Sequence, residues 1–390
     1  MKKSNNSNSR IRYMAAVMLP VCIIITASFF AKPFSQSCGK IALAFAGASM
    51  PEGSINMIKS EMSGNTQTRV DSVINQSGIT QPKTTQNQNP TSPNIQTPAP
   101  YNQLQTPSDI QALIERAKVE QAKAKNSGKI IEKNYANISA TYKFQNVFVK
   151  NVTDTKTVNI ESTLAKQADL KISDKSQPTV LLYHTHTTEA YETLDRGWYS
   201  TEFRTRSKNP QTNMVRVGLA IKQRLEAAGF VVLHDTHIHD TSYNGSYGRS
   251  RACIDEYKKK YPSLKVIIDV HRDGMQQKDG TKLKPTASIS GKKAAQIMII
   301  TGCQDGKVTD FPDWEQNLVF ALQLQKKVED SYPGLMRPVF FSPRKYNMDT
   351  SHCGVLLEVG SDSNTLEEAV YSGELIGNSL AALMNDYVTS

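Results

Sequence analysis

The chain has 390 residues, which is long for one domain, so the sequence predicts one main folded domain with additional segments. Its formal net charge is +10, which suits an anionic polymer or a lipid surface. No run of basic residues exceeds the three lysines at 258–260, and no nucleic-acid-binding motif occurs, so no nucleic-acid partner is expected. The five cysteines are too few and too scattered for a disulfide framework.

The first 106 residues have the pattern of a membrane anchor followed by a tether. Four basic residues precede an apolar run at 14–31, which has about the minimum length of a membrane-spanning helix. Because basic flanks stay in the cytoplasm, we expect 1–13 to be a cytoplasmic tail and a single span to hold the rest outside the cell membrane. A cleaved signal peptide remains an alternative. The segment 32–106 is rich in Gln, Asn, Thr, Ser and Pro, which predicts a largely disordered extracytoplasmic linker.

The segment 107–175 precedes the main domain. Its residues 108–125 place apolar side chains on one helical face, with Ser108 as a potential cap. Residues 142–160 alternate between apolar and polar, which is typical of one or two strands. We expect this segment to be a lead-in to the main domain or an interaction region.

The segment 176–390 alternates strands with helices, which predicts an α/β fold with a mainly parallel sheet covered by helices on both faces. Apolar runs predict strands at 180–182, 230–233, 265–270, 296–301 and 355–359. Amphipathic patterns predict helices at 213–228, 247–261, 314–331 and 366–387.

Three of these strands end in residues that can bind a metal ion or move a proton. His186 and Glu189 follow the first strand, His271 ends the third, and Glu358 lies on the last. Ligand sites in α/β sheets gather at such strand ends. Two imidazoles and a carboxylate are typical ligands of a catalytic zinc ion, which predicts a Zn²⁺ site. A further carboxylate can take a proton from water, which is the role expected of Glu358. His184 remains an alternative ligand.

Other polar residues have weaker predicted roles. Asp269 shares a strand face with His271 and can orient it. Arg204, Arg206, Arg249 and Arg272 are candidates for contact with a substrate carboxylate, because guanidinium binds carboxylates through two hydrogen bonds. His184 is a further candidate for contact with substrate or with a ligand. Three more histidines lie in the sequence Leu-His-Asp-Thr-His-Ile-His-Asp, at positions 234, 237 and 239. We expect these to orient ligands rather than to form a second metal site.

Four motifs resemble the stage II sporulation protein P family. They are His-Thr-His-Thr-Thr-Glu at 184–189, Ser-Tyr-Asn-Gly-Ser-Tyr at 242–247, Ile-Asp-Val-His-Arg-Asp-Gly at 268–274 and Leu-Glu-Val-Gly-Ser-Asp-Ser-Asn-Thr-Leu-Glu-Glu-Ala at 357–369. The resemblance covers about 176–390, and the anchor and linker fit the same layout. It implies a fold like that of zinc-dependent amidases and carboxypeptidases.

The resemblance also implies a function. Members of the family are membrane-anchored zinc peptidoglycan hydrolases that resemble N-acetylmuramoyl-L-alanine amidases and are credited with amidase and endopeptidase action. They act in forespore engulfment during sporulation, together with stage II sporulation protein D, a lytic transglycosylase, and stage II sporulation protein M. The comparison with amidases favours His186 over His184 as the first zinc ligand. A non-catalytic, zinc-stabilised wall-binding module and a zinc carboxypeptidase are the alternative functions.

Overall fold

The computed structural model describes residues 105–203 and 205–389. The predicted cytoplasmic tail, the predicted anchor at 14–31 and nearly all of the predicted linker lie outside these residues. Within the described part of the chain, no helix combines the length and the apolar character needed to cross a membrane.

Six α-helices and twelve strands are described. The helices are α1 Ser108–Glu120, α2 Ile160–Leu164, α3 Met214–Ala227, α4 Ser246–Lys260, α5 Trp314–Ser331 and α6 Leu366–Asn385, with a 3₁₀ turn at Met348–Thr350. The strands are β1 Gly128–Lys133, β2 Tyr142–Phe144, β3 Val147–Asn151, β4 Pro178–Tyr183, β5 Trp198–Tyr199, β6 Val231–His234, β7 Val266–Asp273, β8 Lys282–Ile289, β9 Lys292–Ala295, β10 Ile297–Gly302, β11 Val339–Ser342 and β12 Cys353–Ser361.

The larger sheet has eight strands in the order β2-β3-β11-β10-β12-β7-β4-β6. Strands β12, β7, β4 and β6 run parallel to one another. Strand β10 runs antiparallel to β12, and β2 runs antiparallel to β3. The predicted α/β class is therefore confirmed, and the predicted mainly parallel sheet is confirmed in part, since five of the seven strand pairs in the larger sheet are parallel.

A smaller sheet of four strands has the order β5-β1-β8-β9. Its last two strands form a hairpin whose turn residues Ser290 and Gly291 both have positive φ, of 51° and 79°. Such turns match the twist of paired strands. Neither β8 nor β9 was predicted from the sequence, because Lys282–Ile289 mixes lysine, proline and serine with few apolar residues.

Both faces of the larger sheet are buried. On one face, Leu181 and Tyr183 pack against Ile254 of α4. On the other face, Val180 and Leu182 belong to the main core, which also contains apolar residues of α3, α5 and α6. This explains why β4 has a continuous apolar run rather than an alternating one. The prediction of helices on both faces is confirmed. Among the long helices of the described residues, α4 packs on the face of Leu181, and α3, α5 and α6 pack on the face of Val180.

The segment 107–175 contributes to the same core and to both sheets. Strand β3 pairs with β11 in the larger sheet, and β1 pairs with β8 in the smaller one. Ile110 and Leu113 of α1 are buried in the main core. Asp109 accepts two hydrogen bonds from the Arg216 guanidinium, at 2.7 and 3.1 Å, which ties α1 to α3.

Candidate metal centre

Three neighbouring strands bring the predicted site residues together. Strand β7 lies between β12 and β4, so the ends of all three meet at one edge of the sheet. In the β12–β7 register, Glu358 is the direct partner of His271. In the β4–β7 register, Tyr183 is the partner of Asp269, which places the loop after β4 beside the end of β7. Residues far apart in sequence are therefore neighbours in the fold.

His186 is buried, and neither of its ring nitrogens has a hydrogen-bond partner among the described residues. Its ring stacks on Tyr243 at a centroid distance of 4.6 Å and meets the His271 ring edge-on at 5.4 Å. Burial lowers the pKa of His186 to about 4, so the ring is neutral at physiological pH. Buried polar atoms are normally hydrogen-bonded. A buried neutral imidazole with unpaired nitrogens has the chemistry of a metal ligand.

Glu189 lies one tight turn after His186, closed by the hydrogen bond from its N–H to the His186 carbonyl at 3.0 Å. Its Oε2 lies 3.4 Å from His271 Nδ1. Burial opposes ionisation of Glu189, but the Arg272 charge and the neighbouring histidines outweigh it and lower its pKa. The carboxylate is therefore ionised and directed at the same space as the imidazoles.

Asp269 holds the opposite side of the His271 ring. Its Oδ1 lies 2.8 Å from His271 Nε2, an ion-pair contact without the alignment of a hydrogen bond within the described structure. The same carboxylate accepts hydrogen bonds from the Thr185 N–H at 2.9 Å and from the Thr185 hydroxyl at 2.7 Å. Burial disfavours a charged His271, but Asp269 and Glu189 raise its pKa well above the usual value. A carboxylate behind a ligand histidine is a recurrent feature of zinc sites.

His184 differs from His186 because both of its ring nitrogens are engaged. Its Nδ1 lies 2.9 Å from the Val270 carbonyl and its Nε2 lies 2.8 Å from His234 Nε2. A carbonyl only accepts, so Nδ1 carries the proton and Nε2 accepts from His234. Burial lowers the pKa of His184 to about 4, so this pair is neutral. Gly218 makes room for it, since an added Cβ would lie 2.6 Å from His234 Nε2.

Glu358 is a buried carboxyl beside this group. Its Oε2 has no hydrogen-bond partner in the described part of the chain. Burial, followed by the Asp273 carboxylate, raises the pKa of Glu358 well above its usual value, and His271 acts in the opposite direction. These surroundings favour the protonated form of Glu358, and a cation nearby would favour its ionised form.

Two of the four predicted substrate-binding arginines contact the backbone, and Arg204 lies outside the described residues. Arg272 donates from Nε to the Ala190 carbonyl and from Nη2 to the Thr205 carbonyl, both at 3.1 Å. Arg249 of α4 donates to carbonyls of the preceding loop, at His239, Ser242 and Asn244. These contacts fix two loops around the site, and a contact with a substrate carboxylate remains a prediction for both residues.

Arg206, a third predicted candidate, adjoins the site. It lies 3.7 Å from Glu189 Oε1 and 3.2 Å from Asp240 Oδ2. The sequence analysis did not identify two further residues. Arg337 pairs with Asp273 at 3.0 Å, close to Glu358, and has no sequence signal because its partner comes from a distant segment. Tyr243 stacks on His186, and its place in the quoted motif at 242–247 was the one signal that could have drawn attention to it.

The donor set fits zinc. His186, Glu189 and His271 supply two imidazoles and one carboxylate, which are the ligand types of catalytic zinc sites. Both ring nitrogens of His186 lack a hydrogen-bond partner among the described residues, and a bound ion would occupy the lone pair of one of them. An α/β sheet that carries such a donor set and a buried carboxyl group at the ends of neighbouring strands has the residue types of a catalytic metal centre.

The family follows from the sequence comparisons. Residues 57–381 match the family model described as Stage II sporulation protein P, and the chain belongs to that family. The Stage II sporulation protein P of Bacillus subtilis strain 168 is 31% identical over 230 residues, which are 56% of this chain and 54% of that protein. The chain thus matches about half the length of this curated relative.

Solved amidase structures overlap with part of the chain. The N-acetylmuramyl-L-alanine amidase of Mycobacterium abscessus is 12% identical and covers 53% of this chain and 99% of its own, with a TM-score of 0.30. The CwlD amidase of Clostridioides difficile, in complex with the GerS lipoprotein, is 14% identical and covers 54% and 98%, with a TM-score of 0.33. At such TM-scores the overlap carries no argument about function.

Proposed function

We propose that this protein is a zinc-dependent peptidoglycan hydrolase that cleaves the amide bond between N-acetylmuramic acid and L-alanine, with endopeptidase action on cross-linked stem peptides. The observation that carries the proposal is the buried His186, whose ring nitrogens lack partners within the described residues, beside Glu189, His271 and Glu358. Membership of the stage II sporulation protein P family supports a role in sporulation.

The zinc ion would be held by His186, Glu189 and His271. When bound, zinc lowers the pKa of a water molecule to about 7 and polarises an amide carbonyl. Asp269 fixes the His271 ring from its Nε2 side, so that Nδ1 faces the carboxylate of Glu189. Arg272 keeps Glu189 ionised by its charge and donates its backbone N–H to Glu189 Oε2 at 3.3 Å.

Glu358 would move the proton. It accepts a proton from the attacking water at Oε2, the oxygen without a hydrogen-bond partner in the described structure. The water oxygen then forms its bond to the carbonyl carbon, and the bond from that carbon to the L-alanine nitrogen breaks. Glu358 returns the proton to this nitrogen, which leaves as an amine. Burial raises the pKa of Glu358 above its usual value, which strengthens the carboxylate as a proton acceptor.

The proposed setting is the outer face of the cytoplasmic membrane during forespore engulfment. The apolar run at 14–31 would anchor the chain, and the linker at 32–106 would give reach to the wall. The net charge of +10 favours contact with anionic wall polymers. Stage II sporulation proteins D and M are the proposed partners.

A zinc carboxypeptidase is the competing enzyme. Such an enzyme needs an arginine that binds the terminal carboxylate of its substrate. Of the arginines predicted for that purpose, Arg249 and Arg272 donate to backbone carbonyls, and Arg206 pairs with Glu189 and Asp240. This engagement favours cleavage within the wall polymer over removal of terminal residues.

Product analysis tests the proposal. Purified protein is incubated with peptidoglycan and with defined muropeptides. The products are separated by chromatography and identified by mass spectrometry. An amidase releases stem peptides with a free N-terminal alanine, and Glu358→Gln serves as the matched control. Release of single C-terminal residues would instead assign a carboxypeptidase. Binding without any cleavage, at full zinc occupancy, would overturn the proposed enzyme activity.

A further inference from the structure

A second group of metal-ligating side chains lies in the loop after β6, outside the site described above. We call Asp235, His237, His239 and Cys253 the β6 cluster. Asp235 follows β6 directly, the two histidines lie in the next turn of the loop, and Cys253 lies on α4. The potential ligand atoms of Asp235, His239 and Cys253 all lie within 4.8 Å of one another.

The contacts in the β6 cluster converge on one carboxylate. Asp235 Oδ2 lies 2.6 Å from His239 Nε2 and 3.3 Å from Cys253 Sγ. Asp235 Oδ1 lies 2.5 Å from His237 Nδ1. Asp235 and His239 are buried, Cys253 is half-buried, and His237 is exposed on the solvent side. The loop after β6 and helix α4 therefore bring oxygen, nitrogen and sulfur donors together.

We propose that the β6 cluster binds a second zinc ion, with Asp235, His239 and Cys253 as ligands and His237 as the fourth. Thiolate, imidazole and carboxylate are the ligand types that zinc prefers, and four protein ligands make a closed site with a structural role. An ion among these atoms would replace their direct contacts with one another by bonds of about 2.0–2.3 Å. The proposal does not depend on the proposed amidase activity.

The thiol gives the site a clear chemical signature. Burial, and then the Asp235 carboxylate, raise the pKa of Cys253 to about 12 in the metal-free protein. The thiol is therefore protonated at neutral pH, and an ion that binds Sγ must displace its proton. None of the three ligands in the candidate metal centre is a cysteine, so a sulfur–metal bond distinguishes the two sites.

The β6 cluster is connected to the loop that holds His186 and Glu189. The Thr187 hydroxyl donates to the His237 carbonyl at 2.7 Å and accepts from the His239 N–H at 3.2 Å. Asp240 accepts from the Thr188 N–H at 3.2 Å. An ion in the β6 cluster would thus fix the two residues between the proposed zinc ligands, a consequence that rests on the proposed function.

Cobalt titration tests the second site. The full-length protein is stripped of metal and titrated with Co²⁺, and the near-ultraviolet absorption of a cobalt–thiolate bond is followed. We expect the absorption in the unchanged protein and in His186→Ala, and its loss in Cys253→Ser. Cys353→Ser is the matched control, because the Cys353 thiol lies against the Asp169 carbonyl and should leave the absorption intact.

Zinc content per chain gives the second readout. Two zinc ions are expected in the unchanged protein, and one in either Cys253→Ser or His186→Ala. If Cys253→Ser does not fold, Cys253→His keeps a ligand and should retain two zinc ions without the sulfur absorption. The absence of cobalt–thiolate absorption, with one zinc per chain that His186→Ala removes, would overturn the second site and leave the proposed function standing.

Discussion

The loops after β4 and β6 both carry histidines at short spacing, and they use them in opposite ways. In the β6 loop, His237 and His239 share the carboxylate of Asp235. In the β4 loop, His186 has no hydrogen-bond partner within the described residues. Spacing alone therefore does not determine whether a histidine pairs with a carboxylate or has no hydrogen-bond partner. The acceptor that the fold places beside each ring separates the two cases.

The difference has a physical cause in the neighbouring strands. Asp269, a carboxylate that contacts the β4 loop, accepts from Thr185 and pairs with His271. The ring of Tyr243 covers the face of His186, where an aromatic ring offers packing but no strong acceptor. A buried imidazole is costly when its nitrogens have no hydrogen-bond partners. An ion bound to the lone pair of one nitrogen would reduce that cost.

The largest expected effect is that of His186→Ala. Loss of this ligand should remove the zinc ion of the candidate metal centre, because the remaining His271 and Glu189 cannot hold that ion alone. Amide hydrolysis should therefore fall to background. Metal analysis and turnover on wall fragments check this. The matched control is His184→Asn, whose amide can still donate to the Val270 carbonyl, and it should keep both zinc and turnover. If both variants lose zinc equally, the contrast between the two histidines is wrong.

Asp269→Asn should have the next largest effect. The asparagine side chain has nearly the same shape as aspartate, and its carbonyl oxygen can accept from the Thr185 N–H. It has no negative charge to pair with the His271 ring. Loss of such a supporting carboxylate typically weakens metal affinity by about 10–100-fold. Competition with a zinc chelator measures the change, and Thr185→Ser is the control that keeps the hydroxyl. Unchanged affinity in Asp269→Asn would show that Asp269 does not support the ligand.

His184→Ala should act on stability instead of metal binding. It leaves His234 Nε2 and the Val270 carbonyl without the contacts seen in the structure. Buried groups left unsatisfied cost about 1–3 kcal/mol each, so the free energy of unfolding should fall by that order. Urea denaturation measures it, with zinc content determined on the same sample. Loss of zinc without loss of stability would make His184, not His186, the ligand.

Tyr243→Leu should have the smallest effect. The substitution keeps an apolar cover over His186 but removes the stacked ring. Aromatic stacking contributes about 0.5–1.5 kcal/mol beyond burial, so zinc affinity should fall by about tenfold or less. Tyr243→Phe retains the ring and should bind zinc nearly as the unchanged protein does. An equal loss in both variants would show that the hydroxyl, rather than the ring, supports the site.

The sequence predicted the strands that build the site because they are apolar on both faces. Strands β4, β7 and β12 appear where their apolar runs predicted them, with longer ends. Strand β8 was missed because its buried Lys284 looks polar in sequence. In the fold, the ammonium group of Lys284 lies 2.7 Å from Glu368 and 2.8 Å from Asp195. These partners are distant in sequence, so the compensation of the buried charge could not be foreseen.

In the candidate metal centre, too, contacts between distant segments could not be predicted from the sequence. His186, Glu189, His271 and Glu358 were placed at one sheet edge from strand ends alone, and the structure brings them together. The protonation and hydrogen bonding of each of these side chains depend on partners that only the fold brings close. The segment 107–175 is a further example, since no local pattern indicates that its strands join the sheets at β11 and β8.

Zinc content, melting temperature and wall-fragment turnover of a single Glu358→Gln preparation test the central claim most directly. Glu358 is buried in β12 beside His271, and the amide keeps nearly the same shape. The account predicts full zinc occupancy, an unchanged fold and a loss of turnover of about 10²–10⁴, the usual contribution of a general base. Substantial turnover at full zinc occupancy would contradict it and remove Glu358 from the reaction.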